Sequence, residues 1–478
     1  MAKNEFLHYV SPLARRNASE AMLAIFSEQR KFSTWRRLWL ALAEAQKELG
    51  LDISDDALQQ MQEHLDDVDF KAIEHYEEKL RHDVVANIHA FADKAPAARK
   101  IIHLGATSCF VTDNTDLILM REAGTLVLRY LANIIDRLAQ FARQYQSMPT
   151  LGFTHFQPAQ PTTVGKRACL WCYDFYLDIE HLESIIAKLP FRGVKGTTGT
   201  QASFLTLFDG DKAKVQRLDR RVAEKMGFDE MLPLCGQTYS RKIDAFVVSA
   251  LAGIAGSVHK FANDLRLLAN LKEIEEPFEA HQVGSSAMAY KRNPMRSERA
   301  TGLARFVMSL ASSPLQTHAE QWLERTLDDS SNRRLVLPES FLAIDGMLNL
   351  VLNITDGLVV NDNVIDQHLR AELPFMATEE ILMAAVKAGG DRQAVHERIR
   401  EHSLAASRQV KQFGKENDLI DRLAADPLFK NVDLGQVLDP HKYIGLAAEQ
   451  VDEFTRTLVE PVRKRYADYL GMKAEVRV

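Results

Sequence analysis

One segment, Gly284-Ser285-Ser286-Ala287-Met288-Ala289-Tyr290-Lys291-Arg292-Asn293-Pro294, brings two hydroxyls, an ammonium and an amide within nine residues. That set suits an anion, and its small residues let backbone amides approach a ligand. Composition alone supports a solvated linker equally well. Other segments carry weaker chemistry. Cys169-x-x-Cys172 has redox or metal spacing, but it sits in an aromatic stretch with Trp171 and Tyr173, which favours buried free thiols. Thr197-Thr198-Gly199-Thr200 bears a glycine without the lysine pattern of a phosphate-binding loop, and no dinucleotide fingerprint is present.

Polar, glycine-punctuated segments need rigid elements to hold them. The sequence supplies long amphipathic stretches. From Asp113 to Met148 there is no proline and one glycine, Gly124, while Val127, Leu131, Ile134, Leu138 and Phe141 recur at helical spacing. If helical throughout, this stretch is about 50 Å long. Similar stretches span 163–189 and 240–276, the latter apolar nearly all round and so buried on most sides. Another follows Pro338 with Phe341, Ile344, Met347 and Leu350. The flanks carry shorter helices. One is expected after Ser33-Thr34, with Trp35, Leu38, Leu42 and Ala45 on one face, and another over 51–63 capped by Ser54-Asp55-Asp56. Beyond the polar break Val360-Asn361-Asp362-Asn363, Thr378 opens a helix that Gly389-Gly390 closes, and Asp391 caps the next. The pattern predicts an all-α fold in three parts: an N-terminal helical domain (1–107), a central long-helix bundle domain carrying the polar loops (108–360), and a C-terminal helical domain (361–478). Surplus apolar helix faces predict subunit packing.

Composition sets the outer limits. The chain has 478 residues, 46% apolar and 26% charged, with 59 Lys+Arg against 65 Asp+Glu for a net charge of −6. That excludes disordered and collagen-like chains. The mild acidity argues against nucleic acid as the main partner but not against a small anion held by local Arg and His. The run without charge or His from Ala245 to Val258 is too short to span a bilayer, and Met1-Ala2-Lys3-Asn4-Glu5 lacks the apolar stretch of a signal peptide. The expectation is a soluble, cytoplasmic protein with no membrane partner.

The 284–294 segment resembles the signature of the fumarase/aspartase superfamily, G-S-S-x-M-P-x-K-x-N, at every fixed position but one. Ala289 stands in place of the proline, which loosens the open loop by about 0.4–1 kcal/mol of chain entropy. His103-Leu104-Gly105-Ala106-Thr107-Ser108 with Asp113-Asn114, and Thr154-His155-Phe156-Gln157-Pro158-Ala159-Gln160, are similar to two further conserved regions. Arg81-His82-Asp83-Val84, the run from Lys195 to Phe204, Gly236-Gln237-Thr238-Tyr239 and Arg325-Thr326-Leu327-Asp328-Asp329-Ser330 narrow the resemblance. They resemble the animal-type branch of the lyases that act on succinyl-purine nucleotides. The resemblance runs from about Ser11 to the C-terminus.

The resemblance implies a tetramer with a helical core and sites shared between subunits. It implies β-elimination of fumarate from succinyl-AMP, giving AMP, and from succinyl-carboxamide imidazole ribotide (SAICAR), giving AICAR, in purine nucleotide biosynthesis. Such an elimination needs no cofactor or metal. By the same resemblance Ser285 is the general base, His155 the general acid, and Lys291 stabilises the serine anion. Thr107, Ser108, Thr154, Gln237 and Asn293 would bind the succinyl and amide groups. Arg16, Asn17, Arg81, His82, Asp83, Arg299, Arg325, Ser330 and Arg334 match nucleotide-binding positions, where the arginine fork suits phosphate. Asn17 departs from the tyrosine usual in that branch. Two rivals stand beside this reading: another superfamily lyase, such as argininosuccinate lyase or fumarase, and a non-catalytic homologue. The positive charge of the 81–83 and 325–334 segments argues against an unphosphorylated substrate. The joint presence of Ser285, His155, Lys291 and Asn293 argues against lost catalysis.

Overall fold

The computed structural model describes residues 7–279 and 281–476. Ser27 accepts the Arg30 N–H and opens helix α1, Glu28–Glu48. The expected start after Ser33-Thr34 is thereby corrected. Both residues are buried inside the helix, and the Thr34 hydroxyl bonds back to the Arg30 carbonyl instead of capping. Ser54 caps Asp55–Glu63 as expected. His82 caps α2, Asp83–Lys94, through its ring nitrogen.

The long stretches form the expected helices. They are α3 (Ser108–Gln144), α4 (Val164–Ala187), α5 (Lys242–Asn270) and α7 (Asp328–Asp356), and the structure adds α6 (Met295–Leu310), which the sequence reading did not anticipate. At 37 residues α3 is about 55 Å long. Helices α3 to α7 pack on one another around the central core, which includes Leu131, Ile134, Phe175, Leu251, Phe261, Phe341 and Leu348. The last helix does not begin after Pro338. It begins at Asp328 and runs through the proline, because Val336, Leu337, Ser340 and Phe341 on either side are buried and outweigh one lost N–H bond.

A second core joins α1 and α2 to a later segment, with Trp35, Trp39 and Phe91 against Phe191, Phe204 and Leu218. A third gathers Ile381, Val395, Leu419 and Phe429, while Val451, Val459 and Val462 return to the central core. In this last region Asp391 and Gly389 act as expected, but Thr378 does not cap. Its hydroxyl donates to the Phe375 carbonyl, and Ala377 holds the cap position. Cys109, Cys169 and Cys172 are buried free thiols, and Cys235 is a half-buried one.

Two short antiparallel ribbons interrupt the helices. Strand β1 (Pro149–Thr154) pairs with β2 (Gln157–Thr163), and β3 (Ile274–Glu275) pairs with β4 (Val359–Val360). Helix α8, Asp362–Met376, packs against β1 and β2.

Ion pairs lock the ends of α3, α5 and α7 together. Arg241 donates to both oxygens of Asp113 at 3.1 Å and to Asp329 at 2.8 Å, all three side chains being 1% exposed. Arg333 reaches Asp244 at 2.7 Å and Asp116 at 2.8 Å. Tyr239 donates its hydroxyl to Asp244 at 2.6 Å and its N–H to Asp113 at 2.9 Å. Burial alone would raise the Asp113 carboxyl, but Arg241 and Arg333 hold it below the ordinary range. Arg241→Met strands two buried carboxylates and should cost about 3–5 kcal/mol. Denaturant unfolding reads this directly, and an unchanged midpoint would refute the assignment.

Candidate active site

The Ser285 loop leaves β3 and, among its described residues, has no helix or strand between Pro277 and Pro294. Its two ends are tied at one carboxylate. Buried Glu276 accepts the N–H groups of Arg296 and Ser297 at 3.0 Å and the Ser297 hydroxyl at 2.9 Å, at the start of α6. A carboxylate is well placed at a helix N-terminus. Burial still pushes the Glu276 carboxyl up, against these hydrogen bonds. Higher in the loop Asn293 donates to the Gly284 carbonyl at 2.7 Å. A Cβ on Gly284 would lie 2.1 Å from the Lys291 carbonyl, so only glycine fits this neck. Inside the neck the Ser285 oxygen accepts the N–H groups of Ala287 at 3.3 Å and Met288 at 3.1 Å. Lys291 is exposed, and its ammonium has no partner among the described residues.

His155 stands at the tip of the β1–β2 hairpin. Thr154 pairs with Gln157, leaving His155 and Phe156 as a two-residue turn, each with φ of 54°. Two positive φ values belong to the primed hairpin turn, which normally takes Asn and Gly. Bulky residues there are strained. The turn leaves the imidazole and Thr154 exposed, with the Phe156 ring 5.7 Å from Phe153.

Thr107 is buried at the N-cap of α3, where the amide groups from Ser108 onward favour an anion. Gln237 donates to the Thr107 hydroxyl at 2.9 Å, and Arg325 donates to the Gln237 side-chain Oε1 at 3.1 Å and to Cys109 Sγ at 2.8 Å. Burial pushes that thiol up to about 11. Ser330 follows, half-buried in the first turn of α7. One turn on, exposed Arg334 donates to Asp83 at 2.7 Å. Burial would raise the Asp83 carboxyl, but Arg334 and Lys31 hold it low. Arg81, exposed and left-handed at φ 53°, ends the helix before His82. Behind His82, His103 Nδ1 accepts the Trp39 indole N–H at 2.8 Å. Burial, reinforced by His82, lowers the His103 imidazole to about 4.

Asn17 and Arg299 form a third group. Asn17 lies in the turn of helix Leu13–Asn17, donates to the Pro12 carbonyl at 2.9 Å, and accepts from Arg299 at 3.2 Å. Burial and then the charge of exposed Arg16 push the Arg299 guanidinium down. In place of a phenol, this chain thus has an amide that orients an arginine.

The structure therefore brings together Thr107 with Gln237 and Arg325, Asp83 with His82 and Arg334, Asn17 with Arg299, and Asn293 with the neck of the Ser285 loop. Among the described residues no hydrogen bond or ion pair joins His155, Ser285 or Lys291 to one another or to the Thr107 group. Sequence reasoning missed Glu276, Lys31, Cys109 and the role of His103. The acidic Glu275-Glu276-Pro277 ahead of the loop was the available signal for the first. Nothing in the spacing marked Lys31. Among the described residues no group of three or more His, Cys, Asp or Glu side chains could hold a metal ion.

Comparisons with known proteins bear on this arrangement. The family model described as "Lyase" matches residues 14–309, and the one described as "Adenylosuccinate lyase C-terminus" matches residues 374–454. The fold is shared with the 3-carboxy-cis,cis-muconate lactonizing enzyme of Pseudomonas putida, at a TM-score of 0.79 over 95% of this chain and 99% of that one, with 22% identity. The lyase family match over residues 14–309 defines the chain as a lyase of the fumarase/aspartase superfamily, with the all-α long-helix fold in keeping. Adenylosuccinate lyase of Saccharomyces cerevisiae is 52% identical over 98% of both chains, and that of Schistosoma mansoni is 47% identical over 99% of this chain and all of the other. The chain belongs to the adenylosuccinate lyase family.

His103 gives a pH prediction. Its unfolded value is about 6.5 and its folded value is lower, so the unfolded chain binds the extra proton first. Its contribution to stability is full above about pH 6.5, shrinks as pH falls toward 4, and is spent below that. NMR titration should find a neutral ring at pH 5.5, and His103→Gln should flatten the acid limb of the stability curve. A protonated ring at pH 5.5 would contradict it.

Proposed function

We propose that the chain eliminates fumarate from succinyl-AMP, leaving AMP, and from SAICAR, leaving AICAR. Removing a carbon-bound proton beside a carboxylate builds a dianionic aci-carboxylate, so fixed donors must meet the charge as it develops. Ser285 takes the proton, the C=C of fumarate forms, the C–N bond breaks, and the nitrogen leaves with a proton from His155. The observation that carries the base assignment is the serine oxygen already facing two backbone N–H groups. Those donors favour its anion, and the Lys291 ammonium in the same loop adds to them. Exposed Arg81, with the guanidinium groups of Arg325 and Arg334, suits the phosphate of a nucleotide substrate. The near full-length identity to named adenylosuccinate lyases favours these substrates over argininosuccinate.

The working form is a homotetramer in the cytoplasm, its long helices forming the core and each site gathering loops from different copies. Two observations support this. Leu170, Tyr173 and Leu177 leave an apolar stripe of α4 exposed, with Phe246 exposed on α5. The proposed acid and base also lack any bonded connection within one chain.

Purified protein should release fumarate from succinyl-AMP, and Ser285→Ala should lower kcat by several orders of magnitude with KM nearly unchanged. Turnover near wild type in that variant would end the base assignment. Mixing inactive Ser285→Ala with inactive His155→Ala, after mild dissociation and reassembly, should restore part of the activity by rebuilding intact sites from two chains. A mixture that stays inactive would mean that acid and base come from the same copy.

A further inference from the structure

Directly after α5 the backbone reverses at Lys272, which is left-handed at φ 59°, and the next residue is Glu273. Glu273 is 1% exposed and lies immediately before β3, Glu276 and the Ser285 loop. Its carbonyl accepts the Asn361 N–H at 2.9 Å, at the start of α8. One carboxylate oxygen accepts His368 Nδ1 of α8 at 2.9 Å, while the other is buried with no hydrogen-bond partner among the described residues. Arg167 stands in the first turn of α4 and forms no ion pair or hydrogen bond with Glu273 among the described residues. It donates to the Leu151 carbonyl of β1, lies 5.9 Å from the Phe153 ring, and keeps a second buried N–H group without a partner. Glu273 is the strongest attracting charge acting on it.

We propose that Glu273 is a positioning residue for the elimination: one buried carboxylate that holds α8 on the His155 hairpin through His368, balances the charge of Arg167 on the hairpin's other support, and so steadies the hairpin near the foot of the Ser285 loop. The role rests on the assignment of His155 and Ser285 made above. The hairpin tip is exposed and its turn is strained, so the imidazole's place depends on how the strands are held lower down. Arg167 holds β1 at Leu151, two residues from Phe153 and four from His155. Helix α8 packs on both strands from outside. His368 ties α8 to the Glu273 carboxylate directly, Arg167 feels its charge at longer range, and that carboxylate sits three residues before the Glu276 clasp of the loop. A neutral side chain would leave the Arg167 charge buried and poorly compensated, and the hairpin would shift or loosen. Misplacement by about 1 Å is enough to cost a catalytic group about a hundredfold.

The test uses the full-length enzyme with succinyl-AMP. Glu273→Gln should lower kcat about ten- to hundredfold, with KM within about threefold. Because the residue acts through His155, the same substitution in a His155→Gln background should lower the residual rate little further. An equal loss in both backgrounds, or an unchanged kcat in Glu273→Gln, would overturn the proposal. If Glu273→Gln yields no folded protein, Arg167→Gln and His368→Gln each remove one support and carry the same expectation. Hydrogen exchange gives a readout independent of activity. Amides of 149–163 should exchange faster in the variant while those of α3 do not, and unchanged hairpin protection would sink the idea. A wild-type protein that released no fumarate would instead defeat the functional reading, leaving the exchange experiment to judge Glu273.

Discussion

Arg241 cannot leave its two carboxylates. With Asp113 and Asp329 it is shut away from water, and any one of the three left alone would be an uncompensated buried charge. This constraint fixes the interior of the molecule. Asp113 belongs to the second turn of α3, Asp329 to the first turn of α7, and Arg241 to the junction before α5. Thr107, Gln237 and Arg325 each lie within a few residues of one of these anchors. Their mutual hydrogen bonds follow from where the charges must sit. Tyr239 extends the same logic, since its N–H and hydroxyl are both consumed by the network.

Away from this interior, the polar segments are held by other means. The Ser285 loop is closed at its base by Glu276 and at its neck by Asn293, with half-buried Ser285 turned onto the loop's own amides and Lys291 exposed. The hairpin offers His155 on a turn that local propensity would not choose. Strained backbone at such a place is tolerated because pairing along β1 and β2 and the packing of α8 hold it. One group is thus set by buried charge, one by a knotted carboxylate, and one by a ribbon.

The long helices were legible because their periodicity is uninterrupted and their faces are buried. Their ends were less so. Ser27 and Ser33-Thr34 offer similar capping chemistry, and only burial of the 33–43 stretch shows which residue lies outside. Pro338 looked like a boundary, yet tertiary packing carried the helix across it. The hairpin escaped notice because Pro158 and Pro161 dilute any strand pattern, and the register depends on partners across the turn. Candidate site residues could be named from the sequence where one segment holds them, as with Ser285, Lys291 and Asn293. Glu276, Lys31 and His103 act through neighbours distant in sequence, so no local spacing could announce them.

The neck at Gly284 and Lys291 has a kinematic meaning. Backbone meets backbone there with no room for a methyl group, so the intervening residues form a shut ring and not an open strap. Rotation about the flanking segments alters the ring's tilt while its internal separations persist. The Ser285 hydroxyl and the Ala287 and Met288 amides then travel as a single preassembled cartridge, their mutual placement settled at folding.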